Sequence, residues 1–290
     1  MINKALLQKR FNAAAVSYNQ YANVQQKMAD CLLERLKEYY SSVDCIRILE
    51  LGCGTGYVTE QLVAAFPNAK ITAVDFAESM IEQAKKRYKV DAVTFRCEDI
   101  ERIDVDEQYD VIISNATFQW LNDLKATLSN LYSVLSENGV LVFSTFGDKT
   151  FYELHTSFQR AKEMYEVQNA KALGQTFLTA SQLQELCKQI TGDMYVFETC
   201  YKETFSTVRE FLQSVRKIGA TNSNEGSYCQ SPSIFRSMLR VYERDFTENE
   251  QVVATYHALF SYMKKEGKRK NETVTNENGL EANCIRKYKG

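Results

Sequence analysis

An acidic residue followed by three alternating glycines is the group of residues best suited to chemistry in this chain. Glu50 lies near the end of a short apolar run, and Gly52, Gly54 and Gly56 follow it at every second position. Glycine lacks Cβ, so this backbone can turn tightly and a ligand can come close to it. A carboxylate two residues before the first glycine repels a pyrophosphate and attracts a cation. The segment predicts a strand-turn-helix corner that binds a positively charged ligand.

The glycine spacing separates two classes of cofactor. The dinucleotide pattern G-x-G-x-x-G requires glycine at position 57, where this chain has Tyr57. The sequence E-L-G-C-G-T-G at 50–56 instead resembles the E/D-x-G-x-G-x-G pattern of class I methyltransferases that use S-adenosylmethionine (SAM). A dehydrogenase that binds NAD is the weaker alternative.

Further polar residues follow the next predicted strands, where ligands bind in an open α/β sheet. Asp75 ends the second strand, and its carboxylate can accept both hydroxyls of a ribose, although it can also cap the following helix. Met80, one turn later, can pack against a purine. Asp99 and Ile100 follow the third strand and match the methyltransferase pattern for adenine. Asn115 follows the fourth strand, where the methionine end of SAM would lie, or it serves as a turn residue.

The elements that position these residues alternate along the chain. Strands are predicted near 46–51, 70–75, 92–96, 109–114 and 139–145, and helices near 57–66, 78–88 and 123–136. This alternation predicts an α/β fold with a doubly wound, mostly parallel sheet. Two later strands, near 194–201 and 251–263, are expected to complete it as a seven-stranded sheet. The methyltransferase resemblance implies that this sheet is Rossmann-like.

We expect four segments along the chain. Residues 1–40 form a helical N-terminal lid, and residues 41–148 form the SAM-binding core. Residues 149–266 contribute the last strands and the helical insertions that bind substrate. Residues 267–290 are charged and poor in apolar groups, so we expect a mobile tail.

Composition excludes several functional classes. The net charge of −2 gives no nucleic-acid-like electrostatics, and no apolar run approaches the roughly 18 residues of a membrane span. Eight cysteines include no C-x-x-C pair, and the chain has only two histidines, so we expect no metal and a cytoplasmic location. Neither nucleic acid nor membrane is an expected partner.

Four blocks, three of them outside the SAM-binding core, sharpen the family resemblance. They are F-N-A-A-A-V-S-Y-N-Q-Y-A-N-V-Q-Q at 11–26, S-N-A-T-F-Q-W-L at 114–121, F-L-Q-S-V-R-K-I-G-A-T-N at 211–222 and A-T-Y-H-A-L-F at 254–260. Together they resemble the malonyl-acyl-carrier-protein O-methyltransferases, the BioC family of biotin synthesis. The resemblance implies methyl transfer from SAM to the free carboxylate of a malonyl thioester, carried by acyl carrier protein or coenzyme A, with S-adenosylhomocysteine as the other product.

Two alternatives stay open from the sequence. The acceptor can be another small carboxylic acid or a quinone precursor, and the protein can bind SAM without turnover. Neither the glycine turn nor the acids at the strand ends distinguish these alternatives from the carboxyl methyltransferase.

The resemblance also implies roles for the lid and for an aromatic mouth. Tyr18 and Gln25 fall in the lid block and are expected to contact the cofactor. Because anion meets cation in this reaction, a dry site favours it. The residues expected to line that site and position the reactants are Tyr18, Tyr21, Phe118 and Trp120.

Basic residues are candidates for contacts with the substrate and its carrier. The possible partners of the malonyl carboxylate are Arg216, Lys217 and His257. Acyl carrier proteins are acidic, so a basic stripe can steer them. The stripe expected on one helix face is Arg236, Arg240 and Arg244, with Lys202, Arg209 and Arg216 nearby in sequence. A solvated helix face is the alternative interpretation.

Overall fold

The computed structural model describes residues 1–41, 43–87, 93–105, 107–166, 174–221 and 231–267. Its strands are β1 (Arg47–Leu51), β2 (Lys70–Asp75), β3 (Val93–Cys97), β4 (Tyr109–Ser114), β5 (Leu135–Phe146), β6 (Met194–Phe205), β7 (Thr247–Glu248) and β8 (Gln251–Lys264). They form one sheet in the spatial order β3-β2-β1-β4-β5-β8-β6, and β7 pairs only with β8. The doubly wound α/β fold is confirmed, with this two-residue strand as an eighth.

The sheet is parallel except where the last strand enters it. β1 to β5 pair in parallel, and β8 is inserted antiparallel between β5 and β6. The segment after residue 149 therefore completes the same sheet that the first half of the chain begins. Register brings the strand ends together, because Leu51 pairs with Val74 on one side and with Ser114 on the other.

Ten α-helices occur among the residues that the structure describes. They are α1 (Lys4–Ala14), α2 (Tyr18–Tyr21), α3 (Asn23–Tyr39), α4 (Tyr57–Ala65), α5 (Glu78–Arg87), α6 (Leu124–Ser133), α7 (Tyr152–Met164), α8 (Ala180–Lys188), α9 (Val208–Lys217) and α10 (Pro232–Asp245). Helices α8 and α9 each begin with a capping side chain. Thr179 and Gln182 form a reciprocal capping box at α8, and the Thr207 side chain accepts from the Glu210 amide at α9.

Alternate residues of the central strands pack into two separate cores, one on each face of the sheet. Ile48 and Val111 lie in the core that includes α3 and α4, whereas Leu49 and Ile112 lie in the core that includes α6 and α8. Successive side chains of a strand point to opposite faces, so both faces must be apolar when helices cover both. This two-sided burial fixes the sheet and, with it, the strand ends that carry the site.

Most of the expected tail, residues 268–290, lies outside the described residues, as does Asn222 of the 211–222 block. Among the described residues, no helix is both long and apolar enough to cross a bilayer.

Candidate active site at the carboxyl ends of the strands

The three glycines form a turn that only glycine adopts readily. Gly52, Gly54 and Gly56 have φ of 72°, 53° and 85°, in the left-handed region. A Cβ added to Gly52 would lie 2.1 Å from Oγ1 of Thr117, so this position is also closed by packing. A Cβ on Gly54 would meet no atom within 4 Å. The loop is therefore open at Gly54, where a ligand can approach its backbone.

Glu50 is a buried acid with one unused oxygen. Its side chain is 2% exposed, and Oε2 accepts a 2.6 Å hydrogen bond from the Thr59 hydroxyl. Oε1 is buried with no partner among the described residues. The pKa of Glu50 is raised to about 8, mainly by burial; the nearby Asp75 contributes to this shift, and the Thr59 bonds oppose it. A cation beside Oε1 would both satisfy this oxygen and favour the ionised form.

Asp75 is held by the glycine loop and by the start of the next helix. Oδ2 accepts from the Gly54 amide at 2.9 Å, and Oδ1 accepts from the Ala77 amide at 2.8 Å. Burial raises the pKa of Asp75 to about 6, and these backbone bonds oppose the shift. The carboxylate therefore caps the turn before α5 and still lines a cavity, where its remaining lone pairs can accept hydroxyl groups.

A first cavity of about 60 Å³ lies between the glycine loop and α1. Gly52, Gly54, Asp75, Met80, Asp99, Ile100 and Asn115 line it, together with Lys4 and Phe11 of α1. Lys4 closes one side through ion pairs with Asp99 at 3.3 Å and Glu101 at 2.7 Å. The residues predicted from four different strand ends are thus brought together around one space.

A second, smaller cavity of about 40 Å³ continues along the glycine loop towards α3. Glu50, Gln25 and Asn115 line it. Asn115 is fixed at both ends of its amide, because Nδ2 donates to the Gln25 carbonyl at 2.9 Å and Oδ1 accepts from the Ser144 hydroxyl at 2.7 Å. Gln25 is buried, and this hydrogen bond joins α3 to the residue after β4.

A third cavity, which we call the chamber, has a volume of about 270 Å³ and a mostly apolar lining. Its aromatic lining residues are Phe11, Tyr18, Trp120, Phe146, Phe151, Phe177, Phe211 and Tyr256. Its other polar lining residues are Gln25, Gln119, Thr150, His155, Gln175 and Thr221. No lysine or arginine is among the described residues that line the chamber.

Tyr18 lies where the three cavities meet, since it lines all of them. Phe11 and Trp120 pack edge to face at 5.8 Å and line both the first cavity and the chamber. Burial raises the pKa of Tyr18 above its ordinary value, and the Asp75 charge adds to the shift. The Tyr18 hydroxyl therefore keeps its proton and remains a hydrogen-bond donor at neutral pH.

Phe118 lies elsewhere than expected. It is 2% exposed and packs against Phe143 with ring centroids 4.8 Å apart, in the core rather than at the chamber. It belongs to a one-turn 3₁₀ helix, Phe118–Trp120, which sends Trp120 to the cavities and Phe118 inward. Tyr21 lines none of the three cavities.

The three candidate partners of the substrate carboxylate also lie outside the chamber. His257 is fully buried in β8, where Nε2 lies 2.7 Å from Oε2 of Glu198 and Nδ1 lies 3.4 Å from Oδ1 of Asp148. Arg216 and Lys217 line a separate surface depression. Among the described lining residues of the chamber, none of these three candidates is present.

On α10, the side chains of Arg236, Arg240 and Arg244 are exposed. Arg244 pairs with the neighbouring Asp245, which also pairs with Arg160. The stripe therefore has two cations, Arg236 and Arg240, that form no ion pair with the residues that the structure describes.

His155 also lines the chamber, although no sequence pattern singles it out. It lies on α7, and burial lowers its pKa, so its imidazole is neutral at pH 7. Gln119 and Gln175 were missed as well. No motif marks these residues, because only the packing of α7 and of the segment before α8 brings them to the chamber. Among the described residues, no group of three or more His, Cys, Asp or Glu side chains is arranged to hold a metal ion.

The comparisons with known proteins agree with this geometry. A family model described as a methyltransferase domain matches residues 42–224. The chain is 62% identical over 285 residues to the malonyl-[acyl-carrier protein] O-methyltransferase of Bacillus cytotoxicus, which covers 98% of this chain and 100% of the relative. It is 66% identical over 269 residues to the enzyme of the same name from Bacillus anthracis, covering 93% of this chain and 100% of the relative.

Solved structures share the fold at low identity. The YcgJ protein of Bacillus subtilis superposes with a TM-score of 0.55 at 13% identity, covering 81% of this chain and 98% of that protein. At this identity the likeness shows the architecture alone.

Proposed function

Because the chain belongs to the family of malonyl-[acyl-carrier protein] O-methyltransferases, we propose that it methylates the free carboxylate of a malonyl thioester, using SAM as methyl donor. Malonyl-acyl-carrier protein is the proposed substrate, and its methyl ester would serve an early, pimeloyl-forming step of biotin synthesis. The observation that carries the proposal is the meeting of three cavities at Tyr18. Two of these cavities follow the acidic glycine loop, and the third is large and mostly apolar.

The residues of the first two cavities fit SAM chemically. Oε1 of Glu50 has no hydrogen-bond partner in the described part of the chain, so a positive charge would stabilise it, and the open side of Gly54 admits a ligand to the backbone. Asp75 retains lone pairs for a ribose. The residues that would hold the cofactor are Tyr18, Gln25, Glu50, Gly52, Gly54, Asp75, Met80, Asp99, Ile100 and Asn115. Gly56 shapes the loop and caps α4.

The chain's own residues contribute alignment and exclusion of water. When bound, SAM supplies an electrophilic methyl group on a positively charged sulfur. A malonyl carboxylate, with an ordinary pKa near 4, is already ionised at neutral pH, so no side chain has to remove a proton. Holding the two reactants in line can contribute several kcal/mol. The aromatic walls at Phe11, Trp120 and Phe146 keep the junction dry, which strengthens the attraction between anion and cation.

Neutral donors in the chamber suit a carboxylate nucleophile. We propose that the Tyr18 hydroxyl donates a hydrogen bond to the substrate carboxylate. The His155 imidazole and the Gln119 side chain are the next polar groups in the chamber. A guanidinium would hold the carboxylate tightly and reduce its nucleophilicity, whereas a neutral donor leaves one oxygen free to attack. The chamber lining contains such donors and no arginine among the described residues.

Steady-state kinetics with four acceptors tests the proposal. Purified protein and SAM are mixed with malonyl-carrier protein, malonyl-CoA, free malonate or acetyl-carrier protein, and S-adenosylhomocysteine is quantified. We expect the highest kcat/KM with a malonyl thioester and no turnover with acetyl-carrier protein, which has no free carboxylate. Turnover with free malonate alone would favour a small-acid methyltransferase, and binding of SAM without turnover on any acceptor would contradict the proposal.

A further inference from the structure

A basic surface depression adjoins the chamber. Four cations line it: Arg10 from α1 and Arg209, Arg216 and Lys217 from α9. No aspartate or glutamate is among its described lining residues. Charges of one sign collected in a concave surface raise the local concentration of the opposite charge. The depression is therefore suited to an anion.

Helix α9 separates the depression from the chamber and presents a different face to each. Phe211, Val215 and Ile218, spaced as i, i+4 and i+7, line the chamber. The outward residues, Arg209, Gln213 and Arg216, have the same spacing and line the depression. This is the periodicity of an amphipathic helix, whose apolar and charged stripes run along opposite sides. One helix thus bounds both spaces.

The two spaces meet at Leu212 and Thr221, which line both of them. Thr221 also fixes the basic side, because its carbonyl accepts a 3.1 Å hydrogen bond from Nη1 of Arg10. On the same side, the Ser17 hydroxyl donates to the Lys217 carbonyl at 3.3 Å. The lid and α9 therefore form one rim, with an apolar interior and a cationic exterior.

We propose, on the basis of the function proposed above, that the depression binds the phosphate of a phosphopantetheine arm, which enters the chamber between Leu212 and Thr221. A phosphate carries two or three acceptor oxygens, which match the fork of N–H donors on arginine. The thioester end then reaches Tyr18 through the chamber. Acyl carrier protein and coenzyme A share this arm, and the carrier is the source that we assign.

The chamber wall supplies a second match to the arm. Oε1 of Gln175 is buried at the chamber with no hydrogen-bond partner among the described residues. The arm alternates methylene groups with amide N–H groups. Apolar walls accommodate the methylenes, and an unpaired carbonyl oxygen accepts an amide N–H, which would otherwise be costly to bury.

The test compares substrates that differ only in the phosphate. Malonyl-phosphopantetheine and malonyl-pantetheine are assayed with wild-type protein and with the Arg209→Gln/Arg216→Gln double variant. We expect wild-type kcat/KM to be about tenfold higher for the phosphorylated substrate, through KM. The variant should lose this preference and retain wild-type kinetics on malonyl-pantetheine, since the exposed side chains that it changes do not line the chamber.

A control variant, Lys125→Gln/Lys188→Gln, removes the same charge from exposed positions on α6 and α8 and should keep the preference. Equal activity of wild type on both substrates, or an equal loss on both in the double variant, would overturn the inference. Malonyl-CoA and malonyl-carrier protein distinguish the sources of phosphate, and a loss confined to malonyl-CoA would overturn the assignment to the carrier. Failure of the proposed function has a separate signature, since no thioester would then be methylated by any variant.

Discussion

The two buried acids of the cofactor loop are costly to the free protein. Glu50 and Asp75 both have raised pKa values, to about 8 and about 6, and burial is the largest cause for each. Burying a carboxylate is unfavourable unless hydrogen bonds or a cation compensate. Two backbone amides compensate Asp75, whereas Oε1 of Glu50 has no hydrogen-bond partner among the residues that the structure describes. We infer that the cationic ligand completes the environment of Glu50.

The Glu50→Gln replacement should affect the stability of the fold and the affinity for SAM in opposite directions. The folded protein holds the Glu50 proton up to about pH 8, whereas the ordinary pKa of a glutamate, as in an unfolded chain, is 4.5. The folded state therefore binds more protons across this interval, and the Glu50 contribution to stability falls as pH rises through it. The variant cannot ionise at this position. At pH 9 we therefore expect its free energy of unfolding to equal that of wild type or to exceed it by on the order of 1 kcal/mol.

Binding should change in the opposite direction. A cation favours ionised Glu50, so the affinity of wild type for SAM should rise between pH 6 and about 8, near the pKa of this group. Titration calorimetry should show about tenfold weaker binding at pH 8.5 in Glu50→Gln. A variant that binds as tightly as wild type, with the same pH dependence, would remove Glu50 from the site.

Removing the Tyr18 hydroxyl tests the junction of the cavities. In Tyr18→Phe the ring still separates the spaces, but the donor that we assign to the substrate carboxylate is lost. We expect kcat/KM for the malonyl substrate to fall by about tenfold or more, because a buried hydrogen bond to a charged group contributes about 1.5–3 kcal/mol. Calorimetry with S-adenosylhomocysteine provides the control, and the dissociation constant of this ligand should change by less than about threefold. A selective loss of cofactor affinity would instead assign the hydroxyl to the cofactor.

The sequence predicts the site residues at the ends of strands, but it fails for site residues whose position depends on how the helices pack. Asp75 ends β2, whereas Asp99 and Asn115 follow β3 and β4, and parallel strands bring their carboxyl ends to one edge. His257 lies on β8, which is buried along almost its whole length, so no alternation reveals which side chain faces the chamber. Its neighbour Tyr256 is the residue that lines the chamber. His155 enters the chamber from a helix whose position no local signal encodes.

Helix α1 covers the first cavity and is held across it by polar contacts. Besides the Lys4 ion pairs, Gln8 donates to the Phe76 carbonyl at 2.5 Å, and Asn12 accepts from the Ser79 amide at 2.9 Å. The cavity beneath α1 is narrow, with a volume of about 60 Å³. We infer that α1 moves outward when the cofactor enters and that ligand contacts then hold it.

Hydrogen exchange measures this motion. Amides of residues 4–14 should exchange faster in free protein than in protein saturated with S-adenosylhomocysteine, because the ion pairs that hold the start of α1 in the free state are partly exposed. Helix α6, which lines none of the cavities, is the internal reference. Equal exchange of α1 in the two states, with protection confined to the glycine loop, would show that the lid does not respond to the ligand.

The stripe on α10 gives a separate prediction about the carrier. The Arg236→Gln/Arg240→Gln variant should raise KM for malonyl-carrier protein about fivefold at low ionic strength and have little effect at high salt, since exposed charges act mainly through steering. The same variant should have the wild-type KM for malonyl-phosphopantetheine. Unchanged KM for the carrier protein at low salt would identify the stripe as a solvated helix face.

Elements were more predictable than side chains because their signals are local. The capping residues Thr179 and Thr207 mark helix starts within four residues of sequence. The position of β8 between β5 and β6 has no such local signal, since it depends on pairing across more than a hundred residues. The two-residue strand β7 was missed because it exists only as a pairing with the start of β8.

The whole molecule combines two kinds of surface around one sheet. The first half of the chain supplies the acidic loop at the strand ends, and the later helices α7 and α9 supply the apolar chamber above it. A net charge of −2 leaves little overall field, so attraction of an acidic carrier depends on local cations such as those on α9. The arrangement supports joining a cationic donor to an anionic acceptor away from water.

Intact mass spectrometry of the carrier protein tests this account most directly. Malonyl-carrier protein is incubated with SAM and the purified chain, and acetyl-carrier protein is the matched control. The account predicts that the malonyl species gains the mass of one methyl group in place of one proton, that fragmentation locates it on the terminal carboxylate, and that the acetyl species is unchanged. An unmodified malonyl species under conditions where the chain binds SAM, or a methyl group on the carrier polypeptide, would contradict it.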